Sequence, residues 1–231
     1  MARYAVSDIH GCMKSFQKIL DKLSFNKFDK LYLLGDFINK GPDSMGVLDF
    51  VAKLNKNGYS IYCIIGNHDQ KLLDVRIGNT EGAWANEEQK KITLKSFGVN
   101  SPHDIPEKYI QQLASMPYYL ELSDCWLVHA GFFMGIKNPF LDTVSMLNSK
   151  NFAYDADIFK WKKIIHGHVP QPLSQILKTS TTSENIYKID GGCVYYNSPE
   201  FGYLVAINLD NNSIVVQKNI DYPYPISMKS V

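Results

Sequence analysis

The chain has 231 residues, 45% of them apolar, with 24 Lys and Arg against 23 Asp and Glu. That suits one full-size domain around a buried core, and a net charge of +1 excludes a strongly basic nucleic-acid binder or an acidic tail. There is no signal-peptide-like apolar stretch at the start and no run long enough to span a membrane. The four scattered cysteines, Cys12, Cys63, Cys125 and Cys193, form no Cys-x-x-Cys pair, which points to reduced thiols and a cytoplasmic protein.

In chain order, a short apolar strand over Arg3–Ser7 ends at Asp8-Ile9-His10-Gly11. Phe16, Ile19, Leu20 and Leu23 then follow helical spacing. Leu31–Leu34 reads as a second strand ending at Gly35-Asp36, and Val47, Phe50, Val51 and Leu54 mark a second helix. Ile61–Ile65 is a third strand, ending at Gly66-Asn67-His68-Asp69. Three apolar strands with helical crossovers predict a buried, largely parallel sheet. Helices are expected over Trp84–Phe97 and Pro106–Met116, within a helical cap or insertion spanning residues 80–116. Tyr118–Leu122 and Cys125–Val128 read as a hairpin, Phe140–Lys150 as a helix, and Lys163–Ile165 as a strand ending at His166-Gly167-His168. Asn185–Asp190, Tyr203–Asn208 and Ser213–Gln217 read as strands, and Tyr222–Pro225 as irregular. With no repeat or linker, residues 1–231 read as one domain.

Polar residues recur just past the ends of predicted strands: Asp8 and His10, Asp36, Asn67 and His68, His129, then His166 and His168. Open α/β sheets bind ligands at such ends. Five of the six histidines fall there, and only His103 does not. Carboxylate and imidazole donors without thiolate suit Mn, Fe or Zn, and a central carboxylate such as Asp36 can bridge two ions. Two ions can generate a hydroxide and clamp a phosphoryl group.

The motifs Asp8-Ile9-His10-Gly11, Gly35-Asp36 with Gly41-Pro42, Gly66-Asn67-His68-Asp69, Val128-His129-Ala130-Gly131 and Gly167-His168 resemble the calcineurin-like metallophosphoesterases in order and spacing. Within that family the chain is similar to the bacterial and phage serine/threonine phosphoprotein phosphatases, and Gly41-Pro42-Asp43-Ser44 also resembles diadenosine tetraphosphatases. The resemblance implies an α/β fold, two mixed sheets packed as a sandwich and flanked by helices. It implies that Asp8, His10 and Asp36 hold one divalent metal. Asp36, Asn67, His129 and His168 would hold the second, with manganese the expected ion. His68 would be the general acid, and His166 an extra neighbour.

Three departures stand out. The family's Asp-Arg-Gly is Asn39-Lys40-Gly41, so Asn39 would face His68 without a charge, and Lys40 would meet phosphate as a point charge where an Arg is usual. Lys150 is the candidate replacement for a second Arg, and Ile65 stands where some relatives carry another. Cys12 reads as a small buried residue, whereas Trp84 and Tyr118-Tyr119 are candidates for a substrate rim or for core. The first expectation is a phosphomonoesterase acting on phosphoserine or phosphothreonine proteins, with small phosphate esters also accepted. The alternative is hydrolysis of a dinucleoside polyphosphate, and a third is a catalytically weakened scaffold.

Overall fold

The computed structural model describes residues 1–79, 84–179 and 185–225. One sheet has the order β3(Ser60–Cys63), β2(Lys30–Leu33), β1(Arg3–Val6), β8(Tyr203–Asn208), β9(Ile214–Lys218). Its first three strands are parallel, as their apolar runs predict, and β8 and β9 join antiparallel. The other sheet runs β4(Tyr119–Glu121), β5(Cys125–Val128), β6(Lys163–His166), β7(Ile186–Lys188), with an antiparallel β4–β5 hairpin and parallel pairing beyond it.

Strand alternation divides the core into layers. Ala5, Tyr32, Cys125, Leu127, Ile165 and Val205 point between the sheets and form the sandwich interior. Val6, Leu31 and Leu33 face the other way, onto α1(Met13–Lys22), α2(Ser44–Lys56) and α3(Asn67–Arg76). Trp126, Val128 and Ile164 face an aromatic layer built on Phe132, Phe159 and Met146. The result is the two-sheet α/β sandwich with flanking helices. Cys12, Cys63, Cys125 and Cys193 are free thiols.

Several expected elements are corrected. The helix expected from Trp84 begins at Glu87, as α4(Glu87–Phe97), because Asn86 caps it by accepting from Gln89 N–H at 2.9 Å. Pro106 is the N-cap of α5(Glu107–Ala114). Of the expected insertion, residues 80–83 lie outside the described residues. The rest packs α4 on α2 and α5 on α3, and Phe97, Tyr109 and Leu113 join the main core. The single helix expected over Phe140–Lys150 is a 3-10 turn, Pro139–Leu141, then α6(Thr143–Asn148), split where Asp142 caps by accepting from Ser145 N–H. α7(Leu173–Thr179) is a helix beyond those expected from the sequence. The segment Tyr222–Pro225 has no regular structure, yet Tyr224 is buried and donates its hydroxyl to the Val194 carbonyl at 2.9 Å.

Candidate metal centre

The ends of β1, β2, β3, β5 and β6 meet at one place. Asp8 and His10 follow β1, Asp36 follows β2, His129 follows β5 and His168 follows β6. Asn67 and His68, expected in a loop, are instead the first residues of α3. The loops approach one another at contact distance. A Cβ on Gly66 would collide with the Asp36 backbone and carboxylate, and one on Gly167 would collide with Ser7 and Asp8. Asp69 sets the start of α3, accepting from Gly66 N–H at 3.0 Å and from Phe37 N–H at 3.0 Å, so one buried carboxylate fastens the β2 loop to the helix. Burial, with the nearby Asp36 charge, pushes the Asp69 pKa upward against those donors. The backbone is strained here: His10, Asp36, Asn39, Lys40 and His168 are five of the nine non-glycine residues with positive φ among those described.

The donor atoms face inward. His10 Nδ1 lies 2.9 Å from the Ile38 carbonyl and His129 Nδ1 2.8 Å from that of Leu34. Each Nδ1 carries the proton that the carbonyl accepts, which leaves Nε2 free as a ligand. Ligand atoms of Asp8, Asp36 and His129 fall within 4.8 Å of one another, as do those of His10, Asp36 and His68, and Asp36 belongs to both groups. The Asn67 amide reaches within 3.1 Å of His129 Nε2 and 3.2 and 3.3 Å of the Asp36 oxygens, and turned with its nitrogen inward it donates to all three. Turned the other way it offers an oxygen beside carboxylate and imidazole donors, a set that fits divalent metal. The His168 ring lies 5.0 Å from that of His129, and the His168 backbone N–H donates to both Asp8 oxygens at 3.1 Å.

Electrostatics favours neutral imidazoles around a charged carboxylate. Burial first, then Lys40, brings His10 down to about 4. Burial, then His129, brings His168 to about 4. Burial opposes charge on Asp36, but His129, His68 and His10 outweigh it and hold the carboxyl well below its usual range. Burial likewise opposes charge on His129, and Asp36 and Asp8 overcome it, so this imidazole alone is pushed up: a cation is favoured where it points.

A pocket of about 180 Å³ opens over these groups, lined by Asp36, Lys40, Asn67, His68, His168 and Tyr195, with Lys150 at its exposed rim. Lys40 Nζ stands 3.0 Å from His10 Nε2. His68 is pulled well below its usual pKa by burial, then by Lys40. Its Nδ1 is 3.1 Å from Asn39 Nδ2, and Asn39 Oδ1 accepts from the Thr93 hydroxyl at 2.9 Å. The Thr93 contact to Asn39 and the place of Tyr195 in the pocket are not evident from sequence. Thr93 lies 54 positions from Asn39, and its only local signal is a polar residue on the inner side of α4. Of the other candidates, His166 turns away and packs on Phe152, Trp84 is 1% exposed in the core, Ile65 is buried, and Tyr119 packs on Trp126 and Phe140. Cys12 is fully buried at the N-cap of α1.

Residues 1–215 match the calcineurin-like phosphoesterase family. A symmetrical bis(5'-nucleosyl)-tetraphosphatase from Pseudomonas putida is 36% identical over 134 residues, 57% of this chain and 42% of that protein. The same-named protein of Nitrosospira multiformis is 48% identical over 82 residues, 35% of this chain and 29% of its own. The matches therefore span less than half the length of these relatives. In fold, a candidate diadenosine tetraphosphatase superposes with a TM-score of 0.61 at 22% identity, over 93% of this chain and 91% of that one. A protein serine/threonine phosphatase from Saccharomyces cerevisiae superposes with 0.65 at 14% identity, over 96% and 81%.

Proposed function

Because this chain belongs to the calcineurin-like phosphoesterase family, we propose that it is a metal-dependent hydrolase of phosphoanhydrides, with a dinucleoside polyphosphate as substrate. The observation that carries the substrate class is the pairing of Asn39 with His68. Thr93 donates to the amide oxygen of Asn39, which turns the amide nitrogen toward His68 Nδ1. An N–H donor at Nδ1 leaves that nitrogen its lone pair, so the one ring proton sits on Nε2. A carboxylate in place of Asn39 would stabilise a doubly protonated ring, and this site has none there.

The leaving group then decides what is cleaved. A phosphoserine ester releases an alkoxide, a strong base that needs a proton as the bond breaks. An anhydride releases a phosphate, whose second pKa is about 6 and which departs without one. A neutral His68 able only to donate a hydrogen bond from Nε2 suits the second. The sequence similarity to the two bis(5'-nucleosyl)-tetraphosphatases supports the same reading. The phosphoprotein reading retains only likeness of fold.

In this proposal Asp8, His10 and Asp36 hold one divalent ion and Asp36, Asn67, His129 and His168 the other, manganese being the first to try. Such ions supply a water of lowered pKa and neutralise phosphoryl oxygens. Lys40 adds a point charge beside His10, Lys150 meets the outer phosphate at the rim, and His68 donates from Nε2 to the departing oxygen. The test is a direct comparison of diadenosine tetraphosphate with a phosphoserine peptide, using Mn²⁺-loaded protein. The expected result is kcat/KM at least about a hundredfold higher for the anhydride. Equal or higher kcat/KM on the peptide would reject it.

A further inference from the structure

A second groove, of about 290 Å³, adjoins the metal pocket and shares Asn67 with it. Its floor is one face of α3. Residues four apart on a helix lie one above the other, so the face that presents Asn67 also presents Lys71, and Asp74 follows one turn on. At the helical rise these stand about 6 and 10 Å beyond Asn67 along the axis. The opposite wall carries the Tyr118 ring with Val144 and Leu147 from α6, flanked by the polar Thr143 and Asn148 of the same helix.

Lys71 is half-buried and has no ion-pair partner among the described residues. The rest of the groove is held in place. Tyr118 Oη donates to Gln70 Oε1 at 3.1 Å, and Gln70 Nε2 donates to Asp74 Oδ1 at 2.9 Å, so ring and carboxylate are fixed relative to each other before anything binds. Moving away from Asn67, a ligand meets a cation, then a carboxylate, beside an aromatic and aliphatic wall.

We infer that this groove is a leaving-nucleotide subsite that takes a nucleoside diphosphate. Building on the phosphoanhydride reading, it places the second phosphate at Lys71, ribose hydroxyls at Asp74, and the base against Tyr118, Val144 and Leu147. Carboxylates accept from ribose hydroxyls in other nucleotide sites for the same reason, since the diol offers two donors. A phosphoserine segment supplies neither a second phosphate for Lys71 nor a diol for Asp74.

The test is calorimetric titration of the Mn²⁺-loaded full chain with adenosine diphosphate and, separately, with inorganic phosphate. The subsite predicts that the diphosphate binds at least tenfold tighter than phosphate. Lys71→Ala is expected to remove at least fivefold of that advantage and Lys71→Arg to keep most of it. Val144 is 69% exposed, so Val144→Trp fills the groove without disturbing the core, and it is expected to bring the diphosphate down to the level of phosphate. Equal wild-type affinity for the two ligands overturns the subsite, as does an advantage that survives Lys71→Ala and Val144→Trp together. A phosphoserine peptide that binds tighter than the diphosphate, and loses that in Lys71→Ala, reassigns the groove and also overturns it. Hydrolysis of diadenosine tetraphosphate is scored separately. Turnover without groove-dependent binding removes only the subsite, and groove-dependent binding without turnover removes only the proposed activity.

Discussion

The two sheets bring different chemistry to one cleft. Loops from the first sheet carry the acids, Asp8 and Asp36, and four of the five left-handed residues at the site. The candidate ligands from the second sheet's loops are both imidazoles, His129 and His168, with a single left-handed residue. One side thus concentrates negative charge and backbone strain, and the other offers imidazole nitrogen from a more relaxed backbone. The shift at His129 shows what happens where they meet: the first sheet's acids make a second-sheet imidazole attract positive charge. A divalent cation held by these residues would join the two halves of the sandwich as well as supply the charge for phosphoryl chemistry.

The largest test of that asymmetry is to remove one donor from each side. Asp36→Asn takes the carboxylate shared by both ligand groups, and turnover of p-nitrophenyl phosphate is expected to fall about a thousandfold or more. His129→Ala takes a neutral donor from the other side and is expected to cost about a hundredfold. Initial rates with metal content by emission spectrometry decide it, and equal losses would erase the distinction between the sides.

Next in size is the clamp itself. Manganese at a hundred times its dissociation constant stabilises by about 2.7 kcal/mol. For a chain of this size the melting temperature of chelator-stripped protein is expected to rise by roughly 5–10 °C. Calorimetric scans with and without Mn²⁺ read it directly, and an unchanged midpoint would mean that the sheets are not joined this way.

The second sheet's imidazoles also have an acid-side cost. Burial lowers His166 to about 3, against 6.5 for an ordinary histidine. Between those values the unfolded chain holds a proton that the folded chain does not, so stability falls as pH drops from 6.5 toward 3. At pH 5 the loss from this residue is roughly 2 kcal/mol. Urea unfolding at pH 8 and pH 5 is expected to show a flatter pH response in His166→Phe than in the wild type, and parallel responses would exclude His166 as the cause.

The smallest expected effect concerns the Thr93–Asn39 contact, which reaches the first sheet's loops from α4. Thr93→Val frees the Asn39 amide to rotate and is expected to lower kcat on the anhydride about tenfold with little change in KM. Thr93→Ser restores the hydroxyl and with it most of the rate. A loss that Ser does not rescue would point to packing of α4 as the cause.

Much of the site was readable because parallel strands end where their apolar runs end, and the polar residues that follow have no other place to be. The strands at Leu31, Ile61 and Trp126 each lead into a loop or helix start that carries candidate ligands. What was missed has physical causes. α3 has few apolar positions, Leu72, Leu73 and Val75 among charged neighbours, so its periodicity is faint although Gly66 and Asp69 mark its start. The different fates of His166 and His168 were available from strand alternation. His166 shares the Ile164 face and packs on Phe152, whereas Gly167 and a left-handed His168 turn the next imidazole into the cleft. Thr93 was beyond reach, because nothing local couples residues 54 positions apart.

The run of left-handed residues has a meaning for protein engineering. At His10, Asp36, Asn39, Lys40 and His168 the backbone favours glycine, and the chain keeps a side chain at every one. A selection for heat resistance alone could accept glycine at these positions, because glycine relieves the left-handed strain. Every such gain would delete a donor or a charge from the cleft. Stability-guided libraries built on this scaffold therefore need these codons held constant, and a stabilised clone that carries glycine at one of them is the signature of a fold kept and a site given up.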